Sequence, residues 1–438
     1  MRQMKDSGIE WIGEIPENWG IISFWQAIER MGTGLNPRDN FELTKEDNLF
    51  YVTIRNFKDG RLFLDNNCDR ISQKAWDIIQ SRSDLHKGDI IFASISKDGQ
   101  AYILDDEPNN WNINESVFCI RINKSYYHEK YFYYHLIDTG YYSDLRMDAT
   151  GSTFQSIKQN KLRKSRMVLP PLPEQQAISA HLDKQCAHID NIIEKTKASI
   201  EEYKKLRQAV ITQAVTKGVR GDRPMKDSGI EWIGEIPEEW SISHIGNLAE
   251  IGSGGTPNRN RPEYWINGDI PWMSSGEINL EYVNDTAEKI TQLGMKNSNA
   301  KLLPVNTVML GLIGQGKTKG LTAILNIEST CNQNLAYLIP NKMLFYKYLF
   351  YCFKSMYNYI RGLIGDSQAG IYQGFLKKQH IPLPLFSEQQ EISAYLDKKC
   401  TEIDSLISKK EQFLTELESY KKSMIYEYVT GKKEVPQA

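Results

Sequence analysis

The stretch MKDSGIEWIGEIPENW, Met4 to Trp19, returns as MKDSGIEWIGEIPEEW, Met225 to Trp240, with Asn18 against Glu239 as the only difference. A phrase kept twice at an offset of 221 residues makes the chain an internal repeat, and a repeat constrains the fold before any local motif does. A second matching pair closes each half: PPLPEQQAISAHLDKQCAHIDNIIEK from Pro170 and PLFSEQQEISAYLDKKCTEIDSLISK from Pro384, with Glu174 aligned to Glu388 at an offset of 214. The two middles therefore differ in length by seven residues. Fixed ends around a variable middle are expected if the ends share a frame or a partner and the centres meet different targets. Recent exchange between the two copies explains the identity of the ends but not this alternation.

The closing segments read as long helices. From Glu174 to Thr216 the positions Leu182, Cys186, Ile189, Ile193, Thr196, Ile200, Tyr203, Val210 and Ala214 follow steps of four and three, with one place skipped at Arg207. The second half repeats the pattern at Leu396, Cys400, Ile403, Ile407, Lys410, Leu414, Leu417, Met424 and Tyr428. Pro-rich stretches precede both helices, and Gly218 and Gly431 stop them. At ~1.5 Å per residue each would be about 65 Å long. A narrow stripe over that length predicts that the two helices pack on each other, with Cys186 and Cys400 as small core residues in the seam. Equivalent halves place the pair antiparallel about a pseudo-twofold axis. The expected fold is α+β: two mixed α/β heads held apart by two long antiparallel coiled-coil helices. The boundaries read as 1–169, first head; 170–218, first helix; 219–381, second head; 382–438, second helix and tail.

Bulk properties narrow the function. A chain of 438 residues exceeds one core, and a net charge of −2 argues against a uniformly basic coat while leaving local basic faces open. The N-terminus lacks a signal-peptide core and no apolar run reaches the ~18 residues of a membrane span, so a cytoplasmic location is expected. Six cysteines without a CxxC pair predict reduced thiols and no zinc site.

In the heads, HKGDIIFASISKDGQAYIL (86–104) and PVNTVMLGLIGQGKTKGLTAIL (304–325) read as strand, glycine-containing turn, strand. HEKYFYYHLIDTGYYSDLR (128–146) and NKMLFYKYLFYCFKSMYNYIR (341–361) read as amphipathic aromatic helices whose rings are core rather than nucleobase platforms. GLIGQGKT, Gly311 to Thr318, satisfies the phosphate-loop pattern. That chemistry needs a helix starting at the Gly-Lys, whereas a strand-like run follows here and the first head's SISKDGQ lacks the pattern. The turn fits better as a polyanion contact through Gln315, Lys317 and Lys319. No HExxH, G-x-S-x-G or glycine-rich adenosine fingerprint is present, and no Asn-Pro-Pro-aromatic sequence, so the chain is expected to be non-catalytic.

GGTPNRNRPEYWINGDIPWMSSGEI (254–278), the GDIIF turn, CNQNLAYLIP (331–340) and the closing TGSTFQSIKQNKLRKSRMVLPPLPEQQ and GDSQAGIYQGFLKKQHIPLPLFSEQQ together resemble the specificity subunit of Type I restriction-modification systems. The likeness spans essentially the whole chain; MGTGLNPRDNF in the first head matches the GGTP opening only loosely. The resemblance implies that the heads are target recognition domains, each reading half of a split duplex DNA target. It also implies that the helices act as a spacer and as a dock for two modification subunits. Those partners would use S-adenosylmethionine, and restriction or motor subunits would use ATP and Mg²⁺; this chain itself would hold no cofactor and no metal.

Two heads in the major groove on one DNA face would lie about 34 to 36 Å apart. Affinity would come from phosphate contacts and specificity from amides and guanidiniums at base edges. Candidate phosphate contacts are Lys158, Lys161, Arg163, Lys164 and Arg166 in the first head and Arg259, Arg261, Lys377 and Lys378 in the second. Candidate base readers are Arg55, Asn56, Lys97 and Gln100, then Ser274, Ser275, Gln315 and Lys317. The rival readings are a coiled-coil scaffold without DNA function and a P-loop nucleotide-binding protein.

Overall fold

A computed structural model of the chain describes residues 2–436 apart from 39, 46, 59–60, 97–98, 147–155, 314–317 and 365–369. It divides into two compact units. The first joins Met1–Thr196 to Gln412–Ala438, and the second is Lys197–Glu411. Each unit thus takes its own head, the N-terminal part of the helix that follows that head, and the C-terminal part of the other repeat's helix.

The repeated phrase has local reasons for its sequence. Met4–Asp6 pairs antiparallel with Glu14–Pro16, and Met225–Asp227 pairs identically with Glu235–Pro237. Between them the Asp6 carboxylate accepts from Gly8 N at 2.8 Å and Asp227 from Gly229 N at 2.9 Å, a turn that needs the positive φ of 61° and 67° that glycine adopts freely. Ile15 and Ile236 are fully buried. Trp19 Nε1 donates to Glu174 at 3.0 Å, and Trp240 Nε1 to Glu388 at 3.1 Å. The next residue works equally hard: the Gln175 amide accepts from His128 N and donates to the Tyr126 and Pro170 carbonyls, while Gln389 does the same with Phe345, Met343 and Pro384. The phrase and the EQQ segment therefore form one buried hydrogen-bonded joint in each unit. Much of the duplicated sequence is accounted for by this joint without any partner.

The heads share one topology despite their unlike sequences. In the first, a four-stranded sheet runs in the order Ala101–Ile103, Ile90–Ala93, Val117–Ile122, Ile28–Thr33. The second repeats that order with Thr322–Leu325, Val308–Gly311, Leu335–Pro340 and Ala249–Ser253, and adds Tyr282–Val283 at the far edge. A three-stranded sheet accompanies each, with one parallel pair: Trp111–Ile113 beside Leu49–Val52, and Thr330–Cys331 beside Ile270–Met273. The strands Ile90–Ala93 and Val308–Gly311 are apolar throughout because both faces are covered. Ile90 and Phe92 pack toward the helices while Ile91 turns to the three-stranded sheet; Val308 and Leu310 stand against Met309 in the same way. The aromatic helices are core, as their stripe predicts: Tyr131, Phe132, Tyr141 and Tyr142 in the first unit, and Tyr348, Phe350 and Phe353 in the second, are buried. The first head's helix breaks at Asp138, whose carboxylate accepts from Tyr141 N at 3.0 Å and starts a new helix, Thr139–Arg146; the second head's helix runs unbroken over Tyr346–Ile364.

The long helices span Leu172–Lys217 and Phe386–Val429. Within the first unit His181 meets Tyr428 at a ring separation of 4.6 Å, and Asp190 meets Lys421 at 2.6 Å. Within the second, Tyr203 meets Lys410 and Arg207 pairs with Asp404 at 2.9 Å. Contact positions rise along one helix as they fall along the other, so the pairing is antiparallel in both units. Of the predicted seam, Leu182, Cys186, Ile189, Ile200, Leu396, Cys400 and Ile403 are buried, and Ile193, Ile407 and Leu414 are half-buried. Burial pushes both seam thiols up to about 11, which fits core residues rather than redox groups. The stripe does more than the sequence implied: Leu182 and Cys186 also close the first head's core, and Leu396 and Cys400 the second's. Tyr131 Oη donates to the Val429 carbonyl at 2.7 Å and Tyr348 Oη to Val215 at 3.1 Å, so each head caps the end of the helix that comes from the other repeat. Among the described residues, no helix is long and apolar enough to cross a membrane.

Candidate nucleic-acid interface

Three of the motifs quoted from the heads, the GGTP, CNQN and closing segments, meet in the second unit at the C-terminal end of Val308–Gly311, and their first-unit counterparts meet at the end of Ile90–Ala93. In the second unit Gly255 N donates to the Cys331 carbonyl at 2.9 Å, and a Cβ on Gly254 would lie 1.9 Å from that oxygen, so the GGTP segment needs glycine to lie against CNQN. Thr256 Oγ1 bonds the Gln333 carboxamide. Leu312 N donates to Asn334 O and Ile371 N to Leu312 O, both at 2.9 Å, and Gln373 Nε2 reaches Ser253 Oγ at 3.0 Å. The first unit builds the same junction. Ser94 N donates to Ser116 O and Ile157 N to Ser94 O, and a Cβ on Gly34 would lie 1.7 Å from the Ile113 carbonyl. MGTGLNPRDNF, only loosely similar in sequence, thus occupies the same place as GGTPNRNRPEYW.

A short basic helix borders each edge: Gln159–Lys164 and Gln373–Lys378, whose leucines Leu162 and Leu376 are fully buried. Lys158 and Lys164 are exposed in the first and Lys377 and Lys378 in the second, and none of the four forms an ion pair among the described residues. These cations are available to a polyanion. Lys161 is half-buried, and Arg163 lies 4.5 Å over the Trp25 ring. Next to the second basic helix the His244 and His380 rings lie 3.9 Å apart, tilted by 39°, with His244 Nδ1 donating to the Lys378 carbonyl. Burial and its neighbour hold His380 below the usual imidazole range.

Several predicted contacts are committed elsewhere. Asn56 accepts from Thr53 N at 2.8 Å and donates to Cys68 Sγ at 2.9 Å, closing a capping box on the Ile54–Asn56 turn. Ser274 caps the equivalent turn in the place of Thr53, with Glu277 in the place of Asn56, and Ser275 lies half-buried within that turn. Arg259 lies 3.8 Å over Trp265, 4.9 Å from Trp272, and in a bidentate ion pair with Glu288, so its charge is already neutralised. Arg261 pairs with Glu263 at 3.2 Å, and Arg166 donates to the Gly8 carbonyl at 3.1 Å. Lys319 is only 9% exposed because it follows the turn back into the sheet, which removes it as a surface contact. Arg55 is exposed and Gln100 half-buried. Lys97, Gln315 and Lys317 lie outside the described residues.

The phosphate-loop reading fails on topology. Thr318–Gly320 forms a turn that leads into Thr322–Leu325, antiparallel to Val308–Gly311, so a strand stands where the nucleotide's phosphates would need a helix N-terminus.

The family model described as the Type I restriction modification DNA specificity domain matches residues 37–202 and again residues 237–416. The chain belongs to this family. Each match enters one unit's head and runs on into the long helix behind it, which agrees with the duplicated edge. The chain is 32% identical over 186 residues to the MjaIX specificity subunit of a type I restriction enzyme from Methanocaldococcus jannaschii, covering 41% of this chain and 41% of that protein. It is 31% identical over 177 residues to the EcoR124I/EcoR124II specificity subunit of Escherichia coli, covering 40% and 43%. The alignments to these two specificity subunits thus span about two fifths of their lengths. A third relative, the MjaX specificity subunit of the same archaeon, matches over 437 residues at 27% identity, 96% of this chain and 95% of that one. The same fold is found in a solved chain from work on complex assembly and conformational transition of the type I R-M system, at a TM-score of 0.71 and 15% identity over 96% of this chain and 99% of that one.

The residues missed by sequence reasoning are those of the buried joint, Trp19, Glu174 and Gln175 with Trp240, Glu388 and Gln389. Their signal was present, since each is identical at the same offset as its neighbours, but identity alone does not separate a joint from a docking face.

Proposed function

We propose that this member of the DNA specificity family is the target-reading subunit of a Type I restriction-modification complex, each unit reading one half of a bipartite duplex sequence. The observation that carries the reading is the duplicated edge: one backbone junction, bordered by lysines that form no ion pair among the described residues, built twice with different side chains. Lys158, Lys164, Lys377 and Lys378 would contact phosphates, and Arg55, Gln100 and Ser275 would read base edges. The identical surfaces would receive two identical modification subunits. Supporting this, Glu10 and Glu17 match Glu231 and Glu238, and all four are exposed outside the buried joint. Those subunits would carry the S-adenosylmethionine chemistry and the motor subunits the ATP chemistry, leaving recognition to this chain.

The test is exchange of residues 19–169 for the corresponding head of another family member, followed by sequencing of methylated sites in cells carrying the complete system. One half of the methylated sequence is expected to change while the other stays. An unchanged sequence would return the chain to a scaffold role.

A further inference from the structure

We propose that Ile313 and Tyr372 form an apolar reader in the second unit, contacting the 5-methyl group of a thymine in the major groove of its half-site. The inference rests on the DNA-reading function above and adds a base class to one head. Large side chains in this chain are mostly buried, yet Ile313 is 52% and Tyr372 67% exposed. Their segments meet: Ile371 N donates to Leu312 O, and a Cβ on Gly370 would lie 3.0 Å from Ile313 Cγ1, so each of the two exposed residues is next in sequence to a residue of that junction. Tyr372 directly precedes the helix carrying Lys377 and Lys378, and its ring lies 6.1 Å from Phe375.

An exposed apolar pair can serve a protein partner or a base. Its position selects the base, because it lies where the GGTP, CNQN and closing segments meet and leads into a helix carrying two lysines that form no ion pair among the described residues, a setting complementary to phosphate. Among groups displayed in the major groove only thymine offers a methyl, which is what an isoleucine and a tyrosine ring can recognise without a polar partner. The first unit differs at the same places: Lys158 stands where the second has Tyr372, and Ile95 is half-buried.

The test uses the full complex bound to its own target, with each thymine of the duplex replaced in turn by uracil, which removes only the methyl group. Binding is expected to weaken about fivefold at one or two positions of the half-site assigned to the second unit. That sensitivity should disappear in Tyr372→Lys or Ile313→Ser, while binding to the first half-site keeps its own pattern and so reports that the variants fold. A second half-site without an A·T pair, uracil substitution without effect there, or sensitivity that survives both variants would overturn the proposal. A target unchanged by head exchange would instead overturn the DNA-reading function on which it rests. Loss of complex assembly in the variants with normal uracil sensitivity would assign the pair to a protein partner.

Discussion

The first and second units build the same recognition edge from different materials. In the first, Ser94 and Ser156 lie 3.2 Å apart at the junction and Lys158 projects beside them; in the second, Leu312 packs beneath an exposed isoleucine and tyrosine. The backbone bonds through Ser94 and Leu312 are the same in both. The difference teaches how such a repeat can diversify: glycine and main-chain contacts fix where the edge is, and the exposed side chains mounted on it can change without disturbing those contacts.

The sharpest way to break that comparison is at the glycines. Gly34→Ala and Gly254→Ala drive a Cβ into a carbonyl oxygen, and each is expected to cost about 3 kcal/mol or more in its own unit, read by hydrogen exchange. Gly276→Ala, whose added Cβ meets nothing closer than 4.0 Å, should stay within about 0.5 kcal/mol. If Gly254→Ala were equally mild, the shared junction would not need glycine.

Acid should separate the units next. Burial pushes His135 down to about 3 and Asp138 up to about 6 in the first unit. The unfolded chain takes the histidine proton near 6.5 while the folded unit does not, so this contribution is lost as pH falls from 6.5 toward 3. Asp138 works in the opposite sense: its protonated form is favoured in the folded unit, and its contribution fades as pH rises from 3.8 to about 6. Aligning Tyr131 and Tyr134 with Tyr348 and Tyr351 sets Cys352 opposite His135, so the second unit has no fully buried imidazole at this place. His135→Phe should reduce the first unit's acid lability by on the order of 3 kcal/mol near pH 3.5, followed by urea unfolding across pH. An unchanged pH profile would contradict the burial of a neutral imidazole.

The buried joint offers a smaller contrast. Glu388 is 3% exposed at the side chain and lies 2.7 Å from Arg223, itself 12% exposed, whereas Glu174 is 25% exposed. Glu388→Gln should therefore destabilise by about 2 kcal/mol and Glu174→Gln by about 1, measured by thermal unfolding. Equal losses would mean that burial does not set the strength of the pair. Smallest at fixed salt are the lysines: Lys377→Ala with Lys378→Ala should lower the dependence of log affinity on log salt by about 1.8 and leave sequence preference intact. A change in preference would make them base readers.

The long-range features were legible in the sequence because their signals are long. An identical phrase and nine seam positions in step survive any local ambiguity, and the apolar runs IIF and VML could belong only to strands covered on both faces. Side-chain roles at the edge were less legible, because they depend on neighbours distant in sequence. Arg259 looks like a free cation until Trp265, Trp272 and Glu288 fold around it. Asn56 and Ser274 were misread for a different reason: Thr53-x-x-Asn56 and Ser274-x-x-Glu277 have the spacing of capping boxes and fall at the repeat offset of 221, a local signal that favours a turn over a base contact.

The division of the chain also sets an order of assembly. The second unit is one continuous segment and has all its parts once Glu411 has left the ribosome, but the first includes Gln412 onward, with Tyr131 bonded to the carbonyl of Val429. The half synthesised earliest is therefore the last to be completed, and it must wait with part of its apolar core uncovered while residues 197–411 are made.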